Sequence, residues 1–153
     1  MRLLRLFNRQ KTRALRLPLL RQAGRHLLEE ARHCSQYELA LHFVAAPEMA
    51  QLNENFLGHS GSTDVITFDY RDPAEAAVLR GEIFICVDDA LAQAPRFGTT
   101  WQSEIVRYLV HGVLHLEGYD DTTPGRRKLM KREENKLVKE LSRRFDLGRL
   151  GRG

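Results

Sequence analysis

The sequence predicts an α+β fold, a small mixed sheet of four strands packed with about five helices. Three observations carry this. Short runs that alternate apolar and polar residues, the period of a half-buried strand, recur between segments whose apolar residues return every three or four positions, the period of a helix. Helix punctuation stands at the segment ends, with proline or a hydroxyl residue at the starts and glycine at the stops. The length of 153 residues suits one core, so residues 1–153 are read as a single domain.

In chain order, "RLLRLF" (2–7) is a first strand rather than a removable leader, although no acid precedes Glu29. A helix follows from about Pro18 to His33, with Leu20, Ala23 and Leu27 on one face. "YELALHFVA" then sets Leu39, Leu41 and Phe43 against Glu38, Ala40 and His42, a strand with one buried side. Pro47 opens a short helix that stops at Gly58, and the loop "HSGS" leads to the strand "DVITFDY". "EIFICV" is the fourth strand; Asp88 is the expected cap of a helix from Asp89 to about Arg96, before the break "FGTT". A long helix spans Trp101 to Leu116, and a last one runs from Pro124 to about Arg144, capped by Thr123. The basic tail, about 146–153 and ending "GRLGRG", is expected to fray.

Composition excludes several classes of function. No run approaches the roughly 20 apolar residues of a membrane span, so no membrane partner and a cytoplasmic setting are expected. Cys34 and Cys86 have no ligand or redox spacing and read as free thiols. Net charge is +4 but unevenly spread: residues 1–33 hold 9 basic and 2 acidic residues, 34–123 hold 4 and 14, and 124–153 hold 11 and 4. Basic ends suit a polyanion such as RNA, and an acidic middle suits a bound cation.

The long helix is apolar on nearly all sides from Ile105 to Leu116, yet Glu104, Arg107, Tyr108, His111 and His115 recur every three or four residues. A polar stripe on a buried helix must face a cleft, a ligand or hydrogen-bonding partners. His111 and His115, one turn apart, can present nitrogens to one metal ion. Gly118 can end the helix in the left-handed conformation and turn the chain back, bringing Asp121 toward the same ion, with Asp120 as its competitor. This H-x-x-x-H-x-x-G-x-x-D spacing is that of metzincin peptidases, except that their catalytic Glu is replaced by Gly112, which accepts no proton.

The stretch "HGVLHLEGYDD" resembles the H-G-x-L-H-L-x-G-Y-D-H signature of the YbeY family of bacterial metal-dependent endoribonucleases. "LNENFLGHSGSTDVITF" resembles that family's L-N-x-x-Y-R-G-x-x-x-P-T-D-V-L-S-F segment, and "GEIFIC" its G-D-I-x-I strand, in the same order; the likeness covers roughly residues 37–145. It implies an α+β fold with a metal-bearing central helix, and one divalent ion, expected to be Zn2+, on His111, His115 and Asp121. It also implies cleavage of single-stranded RNA in ribosomal RNA maturation and ribosome quality control, alongside the small ribosomal subunit and its assembly factors. Asp121 stands where the family pattern has His, and Leu57 where it has an Arg expected to meet phosphate; His59 and Arg71 are the nearby candidates for RNA contact. Thr63 and Asp64 keep the family's T-D pair, as turn formers or as catalytic candidates. Two rival functions remain at this stage: a non-catalytic ribosome-associated factor with a structural metal, and a metalloprotease.

Overall fold

The computed structural model describes residues 1–152. Among them lie four strands, β1 (Arg2–Asn8), β2 (Tyr37–Val44), β3 (Val65–Asp69) and β4 (Leu79–Cys86). Five α-helices accompany them: α1 (Leu17–Arg25), α2 (Ala46–Leu57), α3 (Val87–Phe97), α4 (Trp101–Leu116) and α5 (Pro124–Arg144). The sheet order is β1-β2-β4-β3. β1, β2 and β4 are parallel, and β3 runs antiparallel on the edge, so the sheet is mixed as the sequence predicts.

One face of the sheet carries Leu4, Leu39, Leu41, Phe43, Ile83 and Ile85 into the main core, where α4 lies; twelve of its sixteen residues are buried. The other face is partly covered by α2, whose Met49 packs with Val44, Ile66, Phe84 and Cys86. Val44 is buried under this cover and His42 lies stacked between Phe7 and Phe84, so the later half of β2 is buried on both sides rather than one.

Gly112 and Gly81 mark where α4 meets the sheet. A Cβ at Gly112 would come within 2.7 Å of Ile83 Cγ2, and one at Gly81 within 2.6 Å of the Phe68 carbonyl. Both α4 and α5 begin where the sequence places them, because Thr100 and Thr123 accept from the backbone amides of Ser103 and Arg126.

Three local expectations are corrected. The helix expected to reach His33 ends as an α-helix at Arg25 and continues as a π-turn, His26–Ala31, which buries both Leu27 and Leu28 while Glu29 reaches the Tyr37 hydroxyl (2.5 Å). Asp88 does not cap α3: its carboxylate accepts from the Ala46 amide at the start of α2 (2.6 Å), a partner 42 residues away. The tail does not fray over the described residues, since Leu147 and Leu150 are buried and Gln102 donates to the Gly151 carbonyl (2.8 Å). Gly153 lies outside the described residues.

Candidate active site

The polar stripe of α4 opens onto a cleft of about 560 Å³. Glu104, Arg107, Tyr108 and His111 form its floor, and Arg127, Lys131 and Glu134 of α5 line it too. Asp64, just before β3, and Phe97, at the end of α3, also border it. Phe97 is 68% exposed. Three cationic side chains, Arg107, Arg127 and Lys131, share the cleft with four carboxylates, Asp64, Glu104, Asp121 and Glu134.

Glu134 organises this group. It is buried, and Nδ1 of His111 lies 2.9 Å from its Oε2 while Arg107 donates to its Oε1 (2.8 Å). Burial alone would raise its pKa, but these hydrogen bonds and the Lys131 charge outweigh burial and bring it down to about 2. An ionised carboxylate only accepts, so the proton between the pair sits on His111 Nδ1. Burial pushes the imidazole toward the neutral form, yet the bond to Glu134, with the charges of Asp64 and Asp121, raises its pKa overall. With Nδ1 committed, Nε2 is the nitrogen available for a ligand, an arrangement that orients many metal-binding histidines.

His115 follows one turn later. Its ring lies 6.3 Å from that of His111 with the planes 8° apart, and the side chain is exposed. α4 then closes with the Tyr119 amide donating to the Leu114 carbonyl and the Gly118 amide to the His115 carbonyl, Gly118 having φ 108°. This pair of bonds with a left-handed residue is the Schellman motif, and it reverses the chain. Arg32 holds the turn by binding Glu117 (2.7 Å) and Glu133 (3.2 Å) and by lying over the Tyr119 ring.

Past the turn the two aspartates separate. Asp120 accepts from Thr122 and Arg126, which hold its carboxylate below the usual range. Asp121 instead borders the cleft with His111. The donors fit a divalent ion in kind: an oriented imidazole, a parallel second imidazole and a carboxylate in reach of the first one's field. Their side chains do not converge in this structure, where no three His, Cys, Asp or Glu among the described residues stand close enough to hold one ion.

The remaining candidates divide. Asp64 Oδ1 accepts from the Val65 amide (2.8 Å) and from Thr63, the turn-forming role, yet Asp64 also borders the cleft. His59 sits in the exposed loop after α2 and does not line the cleft. Arg71 donates to the Leu116 carbonyl at the end of α4, so its guanidinium serves the helix terminus. Leu57 is exposed at the end of α2. Gly112 faces Ile83 in the core, so a glutamate there would enter the sheet packing instead of the cleft.

Sequence reasoning misses Glu134. It reads as one more charge on a charged helix, although it occupies an apolar position in the buried series Met130, Glu134, Leu137, Val138 and Leu141. That carboxylate at a core position was the available signal.

Comparison with known proteins matches the chain to one family. The family model described as Endoribonuclease YbeY matches residues 5–142. Endoribonuclease YbeY of Chlorobium phaeovibrioides is 33% identical over 129 residues, covering 84% of this chain and 78% of the relative. That of Bacteroides thetaiotaomicron is 37% identical over 101 residues, 66% of this chain and 72% of the relative. The solution structure of TM1509 from Thermotoga maritima superposes with a TM-score of 0.64 at 27% identity, over 91% of this chain and 89% of that one.

Proposed function

The chain belongs to the YbeY family of endoribonucleases, and from that premise we propose that it cleaves single-stranded RNA in a metal-dependent reaction of ribosomal RNA maturation and ribosome quality control. The observation that carries this reading is His111, set in the cleft with Nδ1 tied to Glu134 and Nε2 left for an ion. His111, His115 and Asp121 would hold one divalent ion, which we take to be Zn2+. Bound there, the ion supplies a Lewis acid that polarises the scissile phosphodiester.

The chain's own residues divide the remaining tasks. Arg127 and Lys131 offer cationic partners to the RNA backbone from α5. Phe97 presents an exposed ring at the cleft on which an unpaired base stacks, a contact a paired base cannot make. Asp64, with Oδ1 engaged by the Val65 amide, keeps Oδ2 to accept a proton from a water that attacks the phosphorus, while the P–O bond to the leaving ribose breaks and its oxygen takes a proton from solvent. Among the described residues no helix is long and apolar enough to cross a membrane. We place the protein in the cytoplasm with the small ribosomal subunit and its assembly factors.

The test is cleavage of a single-stranded RNA by purified protein. Chelation should abolish cleavage and Zn2+ should restore it, while His115→Ala should remain inactive at any zinc concentration that leaves the fold intact. Carboxylates outnumber cations in the cleft, so removing the ion should also weaken RNA binding, read by anisotropy. Full cleavage by the metal-free protein would sink the reading.

A further inference from the structure

Tyr108 lies one turn before His111 on α4 and lines the same cleft. The side chain is 4% exposed, and its hydroxyl has no hydrogen-bond partner. An unpaired buried hydroxyl is destabilising, and native proteins pair nearly all such groups. Phenylalanine would fill the same space without that penalty. An unpaired buried donor on a side chain that lines the cleft, one turn from a candidate metal ligand, points to a ligand rather than to the fold.

The surroundings say what kind of ligand. Burial, followed by the charges of Asp64, Glu104 and Asp89, drives the phenol pKa upward, so the hydroxyl holds its proton at neutral pH and acts as a donor. A donor needs an acceptor oxygen, and a phosphate offers several, which Arg127 and Lys131 of the same cleft can meet as well. Leu57, exposed at the end of α2, supplies no charge to a phosphate.

We propose that the Tyr108 hydroxyl donates a hydrogen bond to a non-bridging phosphate oxygen of the RNA in the cleft, a bond that strengthens as charge builds on that oxygen during cleavage. This rests on the nuclease reading and adds to it a catalytic residue within the helix. It gives the site a phosphate donor inside the cleft.

The test compares Tyr108→Phe with the metal-loaded wild-type chain. The variant should lose about 10- to 100-fold in kcat with KM within about threefold, because the bond matters most in the transition state. Its thermal midpoint should equal or exceed that of the wild type, since the orphaned hydroxyl is gone. Unchanged kcat, or a midpoint that falls in step with activity, would overturn the inference. Should the wild type itself fail to cleave RNA, the nuclease reading falls, and inorganic phosphate decides the inference alone. In that case protection of the wild type against thermal unfolding, at least threefold weaker in Tyr108→Phe, sustains it, and equal protection refutes it.

Discussion

Glu134 shows how one buried carboxylate sets the properties of its neighbours. It is ionised because His111, Arg107 and Lys131 together overcome the cost of burying it, and being ionised it fixes the proton of His111 on Nδ1. Glu134→Gln keeps the size but removes the charge, so His111 loses the partner that fixes its tautomer. The variant should bind Zn2+ about 10- to 100-fold more weakly, the usual cost of losing the group behind a metal-binding histidine. Competition against a chromophoric chelator measures this, and an unchanged affinity would remove Glu134 from the site. Asp121→Asn should weaken zinc in the same assay, whereas Asp120→Asn should not, because Thr122 and Arg126 already occupy the Asp120 carboxylate.

Between α4 and β4 the contact is close enough to test by a single methyl group. Adding a Cβ at position 112 gains about 1 kcal/mol of helix propensity but drives it into Ile83, buried and β-branched, at a cost of about 1–3 kcal/mol for overpacking. Gly112→Ala should therefore lower the urea midpoint, and a midpoint at or above that of the wild type would show that Ile83 yields freely. The same crowding explains why the metzincin reading fails here: position 112 points at the sheet, so no residue there can serve the cleft. Elements whose signals are local were legible in the sequence. α4 and α5 carry their own caps in Thr100 and Thr123, and the Gly118 turn is written in one glycine. What escaped reading depended on partners distant in sequence. The π-turn carries Glu29, whose partner Arg2 stands 27 residues back, Asp88 lies between two helix starts that are neighbours only in space, and Glu134 meets His111 across 23 residues. The tail misled by composition, its glycines and arginines concealing Leu147 and Leu150, which enter the core. His111 and Asp121 were legible as companions of one cleft from spacing alone; Tyr108 was legible as part of the stripe, but its unpaired hydroxyl was not.

Over the whole molecule, the two basic ends of the chain have different fates. β1 is the edge strand furthest from β3, about 14 Å across the sheet from the side that carries Asp64. Several N-terminal arginines are also engaged, Arg2 with Glu29, Arg9 with Glu48 and Arg32 with Glu117 and Glu133. The basic residues of α5 are placed otherwise. Arg127 and Lys131 border the cleft, and both also line an adjoining depression with Lys128 and Arg132, which are exposed and make no ion pair among the described residues. Spacings of three and four residues put these side chains on one stripe of the helix, leading outward from the cleft. An RNA strand leaving the cleft along α5 would release counterions in proportion to the phosphates it meets there. For single strands the slope of log K against log salt is about −0.7 per phosphate neutralised. Lys128→Ala with Arg132→Ala should thus reduce the steepness of that slope by about 1.4 and weaken RNA binding at low salt, with the thermal midpoint unchanged because both side chains are exposed. Arg5→Ala, on the far edge strand, should leave the slope as it is. If the α5 double variant kept the wild-type slope while Arg5→Ala flattened it, the strand would run across the sheet edge, and the basic N-terminus would be the track instead.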